Sequence, residues 1–180
     1  MVAAAHGAAE RELGLLSADL SVLQYGAALI VLTGFHEAVE AQLENAVRAG
    51  RLKPELVGPS RVPDLRRDLS LLGVAAATTA CTVPCLETAD DALAGTYVLT
   101  GSSLGARVLR RSLPRSVTGP ARTFIGLKTD VVAERRWSRI QQLLDRADGT
   151  RRARVAAAAV GLFGALESYS RVVREPRGAH

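Results

Sequence analysis

The chain reads as an all-α protein, one multi-helix bundle of about seven helices spanning residues 1–180. Aromatic residues make up only 4 % of it, whereas Ala, Leu, Val and Arg abound, a composition that favours helices over a sheet sandwich. Apolar residues recur at helical spacing through long windows, and no segment alternates with the period of a strand. A chain of 180 residues is long enough to bury one substantial core.

Taken in order, residues 3–16 are rich in Ala and Glu and predict a first helix, broken by Ser17-Ala18-Asp19-Leu20-Ser21. Ser21 is the expected N-cap of a second helix over 22–49, with Leu29, Leu32, Phe35, Val39, Leu43 and Val47 as its apolar stripe. Gly50 stops it, making a helical hairpin. Residues 51–63 hold three prolines and Gly58 and predict a loop with at most short helical turns. Asp64 is expected to cap a helix to about Leu72. After a linker containing Pro84, Thr88-Ala89-Asp90-Asp91 resembles a capping box opening a long helix that Pro114 ends. Residues 116–129 read as mostly irregular. Asp130 opens a helix through Trp137, Ile140, Leu143 and Leu144 to Gly149, and Thr150 opens the last, with Val155, Leu162, Phe163 and Leu166 inward.

The net charge is +5, and all but Lys53 and Lys128 of the 23 basic residues are arginine. Such a balance permits an anionic partner, but the arginines are spread without interleaved aromatics, so nucleic acid is not expected. Cys81 and Cys85 flank Thr82-Val83-Pro84 and read as reduced thiols beside a turn, with a redox switch the lesser idea. Three histidines and two cysteines make no zinc spacing. No signal peptide and no uninterrupted apolar run of ~18 residues is seen, so a cytoplasmic protein without a membrane segment is expected.

The stretch that carries most information is 94–111, where Gly101 and Gly105 interrupt a helical pattern one turn apart. Each interior glycine costs about 0.5–1 kcal/mol relative to Ala, so something must need the bare backbone. The plain explanation is a second helix packed close. The run Tyr97-Val98-Leu99-Thr100-Gly101-Ser102-Ser103-Leu104-Gly105-Ala106 also resembles the distal-helix motif of the bacterial, bacteriophytochrome-associated branch of the heme oxygenases, Tyr-Val-Leu-Glu-Gly-Ser-Thr-Leu-Gly-Gly. It departs from that pattern at Thr100, Ser103 and Ala106, and the family's basic lead-in before the axial ligand is missing. The resemblance spans most of the chain. It implies the family's all-α fold, with the two glycines letting a kinked helix pass over one face of heme and leaving room for dioxygen beneath it.

An axial nitrogen would have to come from His6, His36 or the terminal His180. His6 with Glu10, and His36 with Glu40, share the i, i+4 spacing that lets a carboxylate orient an imidazole, so spacing does not separate them. The resemblance does: the family's ligand lies on the first helix in a His-x-x-x-Glu pattern, which points to His6 as iron ligand. It further implies that Arg135 and Arg139 contact the propionates, although a solvated arginine face reads equally well from the residues alone. Phe124, Trp137 and Phe163 read as core and pocket wall, Phe163 counting among the heme contacts. Gly101, Ser102 and Gly105 are the implied catalytic positions, Ser102 holding water for proton delivery. Heme would be substrate and cofactor, the products biliverdin, carbon monoxide and iron, and the electron donor a ferredoxin or flavoprotein. The alternative is a noncatalytic heme carrier, or a homodimer pairing through the glycine face.

Overall fold

The structure, a computed structural model, describes residues 2–17, 19–75, 77, 79–126 and 131–174. Among the described residues it is all-helical, with seven α-helices and no strand. These are α1 (Val2–Leu13), α2 (Val22–Arg48), α3 (Val62–Leu71), α4 (Ala89–Ser112), α5 (Arg115–Thr118), α6 (Val131–Asp145) and α7 (Gly149–Arg174), with a 3₁₀ turn at Pro54–Leu56. Asp130, expected to open the sixth helix, and His180 lie outside the described residues.

The long helices begin where local chemistry supplies caps. Ser21 accepts from the Gln24 N–H at 3.2 Å while the Gln24 side chain accepts from the Ser21 N–H at 2.8 Å, a reciprocal box that satisfies two otherwise orphaned donors. Thr88 and Asp91 repeat the device at α4, at 3.1 and 2.9 Å. Two expected starts shift. α3 opens with Pro63 in its first turn, where its fixed φ suits a helix, and Asp64 accepts from Arg61 Nε at 3.0 Å instead of capping. α7 opens one residue before Thr150, with the Asp148 carboxylate taking the Arg151 N–H at 2.7 Å. α1 ends at Leu13, short of Leu16, because Gly14 adopts φ +61°, which stops the helix. α6 stops at Asp145, short of Gly149.

α7 packs against α4, α1 and α2, while α2 also supports α3 and α4. The buried side of α2 carries Leu29, Leu32, Phe35, Val39 and Leu43 as expected, continued by Ala46 while Val47 stays partly exposed. By length and composition α2 could cross a membrane, but 56 % of its most apolar window is buried inside the bundle. The segment 119–126 is pinned from several sides. Buried Asp68 accepts the N–H groups of Thr123 and Phe124 at 2.8 and 2.9 Å, Tyr25 donates to Ala121 O at 2.8 Å, and Arg61 Nη2 donates to Phe124 O at 2.7 Å. Phe124 is thereby fixed in the core at 1 % exposure.

Candidate functional site

α1 and α4 both pack on α7 but scarcely touch one another. The gap between them is a cavity of about 520 Å3, within the roughly 300–1,000 Å3 range of small-molecule and cofactor sites. Its walls are largely apolar: Leu32 and Phe35 of α2, Trp137 of α6, Phe163 and Leu166 of α7, and Phe124 from the pinned loop. His6, Glu10 and Ser102 bring polar groups to it.

Gly101 and Gly105 line this cavity, and α4 runs through both as unbroken helix. A methyl built on Gly105 would meet nothing within 4 Å, and one on Gly101 would meet only Trp137 Cζ3 at 3.9 Å. No other helix fills the space, so the plain explanation fails for these two. It succeeds for Gly95 of the same helix, where a Cβ would lie 2.9 Å from Leu86 Cδ1 and 3.0 Å from Leu43 Cδ2. One glycine of α4 serves packing, and two keep a cavity wall bare.

His6 stands on the α1 side with 49 % of its side chain exposed. Its Nδ1 lies 3.6 Å from Glu10 Oε2, and its ring meets the Phe163 ring edge-on at 5.4 Å between centroids. Nε2 makes no hydrogen bond among the described residues. A neutral imidazole with one nitrogen turned to a carboxylate and the other free is a suitable donor for a single metal position. No group of three or more His, Cys, Asp or Glu side chains suited to holding a metal ion exists among the described residues.

Of the residues singled out from sequence, His6, Glu10, Gly101, Ser102, Gly105 and Phe163 come together here. Arg135 and Arg139 do not. Ala133, Arg136 and Ile140 form the buried face of α6, which turns Arg135 and Arg139 outward, and Arg139 Nη2 lies 3.7 Å from Glu55 Oε1 on the surface.

Sequence reasoning set His36 aside, and the structure gives it a place. It is fully buried, edge-on to Phe124 at 5.7 Å, with Nδ1 3.0 Å from Glu40 Oε1 and Nε2 3.5 Å from Ser102 Oγ. Burial by itself would raise the Glu40 carboxyl, but hydrogen bonds from His36, Ser60 and the Arg61 N–H hold it below its ordinary range. An ionised Glu40 can only accept, so in the neutral ring the His36 Nδ1 carries the proton and Nε2 faces the Ser102 hydroxyl as an acceptor. The shared i, i+4 carboxylate was the visible signal; burial against α4 was not.

The two cysteines are free; burial pushes the Cys81 thiol up to about 11, which leaves it mostly protonated near neutral pH, while Cys85 is exposed. Among the described residues, fold and site define a helical bundle with a wide apolar cavity lined by the His6 imidazole and a bare helix face. Comparison with family models, curated proteins and solved structures finds no match for this chain.

Proposed function

We propose that this chain is a heme oxygenase of the bacterial, bacteriophytochrome-associated kind, opening heme to biliverdin, carbon monoxide and iron. One observation carries the reading: the open space over Gly101 and Gly105 belongs to the same 520 Å3 cavity that His6 lines. Its residues suit the group, since a flat apolar macrocycle needs apolar walls, a backbone without Cβ atoms over one face, and a single soft nitrogen donor. When bound, heme is both substrate and cofactor, its iron activating dioxygen with electrons from a ferredoxin or flavoprotein.

The chain's own part is binding, orientation and proton handling. His6 offers Nε2 as ligand, with Glu10 favouring that orientation. Phe163 and Trp137 supply flat walls, and Gly101 and Gly105 bring peptide groups close to whatever lies beneath them. Glu40 holds His36 in one tautomer, and His36 Nε2 turns the Ser102 hydroxyl hydrogen away from the cavity. The Ser102 oxygen then presents lone pairs to a water in the cavity, a proton-delivering position built from α2 and α4.

Hemin titrated into the full chain is expected to give a Soret band that His6→Ala shifts or abolishes. Reduction of that complex with ascorbate or ferredoxin in air is expected to yield biliverdin absorbance. A band that survives reduction with heme intact would leave a heme carrier, and no band at all would leave a helical bundle without heme.

A further inference from the structure

A second cavity, of about 180 Å3, lies against a different stripe of α4, formed by Thr96, Leu99, Thr100 and Ser103. The segment 56–61, Glu40 of α2 and Arg136 of α6 close it. Two buried guanidiniums reach this space. Arg61, 6 % exposed, donates through Nε to Asp64 at 3.0 Å and through Nη2 to Phe124 O at 2.7 Å, and stacks over the Phe124 ring at 4.9 Å. Arg136, 9 % exposed, forms no ion pair among the described residues, and its Nε is buried without a hydrogen-bond partner. The wall is shaped to it: a Cβ on Gly58 would lie 2.7 Å from Arg136 Nη1.

A guanidinium cannot shed its charge to suit a dry site, so a buried one calls for an acceptor. Among the described residues two carboxylates line the cavity, and neither forms an ion pair with Arg136. Glu40 Oε1 takes His36 Nδ1 and the Arg61 N–H, each at 3.0 Å, and Asp64 takes Arg61 Nε. Thr100, 5 % exposed, stands on the same wall. A buried guanidinium without an ion pair among the described residues, lining a space too small for a drug-sized ligand, fits a compact acceptor of few atoms.

We propose that this cavity binds a small planar oxyanion of the carboxylate or bicarbonate type, held by the Arg136 guanidinium with the Thr100 hydroxyl as second donor. The site is separate from the wide cavity and does not require heme. Thermal unfolding of the heme-free full chain at constant ionic strength tests it, with sodium formate, sodium bicarbonate and sodium chloride as probes. Formate or bicarbonate at ten times its dissociation constant is expected to raise the midpoint by about 3–6 °C over chloride. The stronger of the two identifies the source. Arg136→Met, which keeps the buried stem and removes the charge, is expected to lose that excess, and Thr100→Glu to lose it by supplying a carboxylate from within. No excess over chloride with either anion, or an equal excess in Arg136→Met, overturns the proposal.

Discussion

Gly34 of α2 and Gly105 of α4 sit in the interiors of long helices, yet their surroundings are opposite. A Cβ on Gly34 would fall 2.6 Å from the Tyr169 hydroxyl and 2.7 Å from its Cε1, and that ring is buried and tied to Thr79 O at 2.9 Å. Gly34→Ala is therefore expected to destabilise the protein by about 1–3 kcal/mol in urea unfolding, as overpacking does. Gly105→Ala meets open space and is expected to stabilise the heme-free protein by about 0.5–1 kcal/mol through helix propensity. Under the proposed function the same methyl weakens hemin binding. Sequence marked Gly105 as costly but not what the cost serves, because the answer depends on which helices leave the space empty. His6 and His36 teach the same lesson: their i, i+4 carboxylates look alike in sequence, while one imidazole is 49 % exposed beside a cavity and the other 1 % exposed beneath Ser102.

At the scale of the element, α4 is the part most legible beforehand. Its capping box and the proline that ends it are local in sequence, and they reappear at Thr88 and Pro114 as expected. Thr88→Ala is expected to cost about 1 kcal/mol in thermal or denaturant unfolding, from loss of the cap. α4 is held to α7 by a pair that no local pattern announced: Asp90 receives Arg151 Nε at 2.7 Å and Arg154 Nε at 2.9 Å. Less legible still was the segment 119–126, which carries no regular structure yet fixes Phe124. Its order comes from Asp68 and Tyr25, more than 50 residues away in sequence, so no window of the chain contains both halves of the interaction.

For the whole molecule, the shifted groups set a range of pH over which the fold is most stable. Glu40 titrates below its ordinary value near 4.5, so its stabilisation is present above that value and lost as pH falls through the folded one. Asp90 acts likewise from 3.8: burial opposes ionisation, but its hydrogen bonds and charge contacts with Arg151 and Arg154 outweigh it. Tyr25 is shifted the other way, by burial first and then by Asp68, so its contribution is full below 10.0 and lost as pH rises. Cys81, raised by burial from 9.0 to about 11, loses its share first, so stability is expected to be flat between about pH 5 and 9 and to fall on both sides. Glu40→Gln should flatten the acid limb and Tyr25→Phe the alkaline one, measured as denaturation midpoint against pH.

The sequence by itself determined the helices, most of their boundaries and the unusual glycine pair, because helical period, caps and breakers act within a few residues of one another. Only the tertiary structure decided that the pair faces an open cavity shared with His6, that Arg135 and Arg139 turn outward while Arg136 is buried, and that His36 reaches Ser102. Those are matters of which faces meet. Burial and empty space are properties of several helices at once, and no stretch of chain holds them alone.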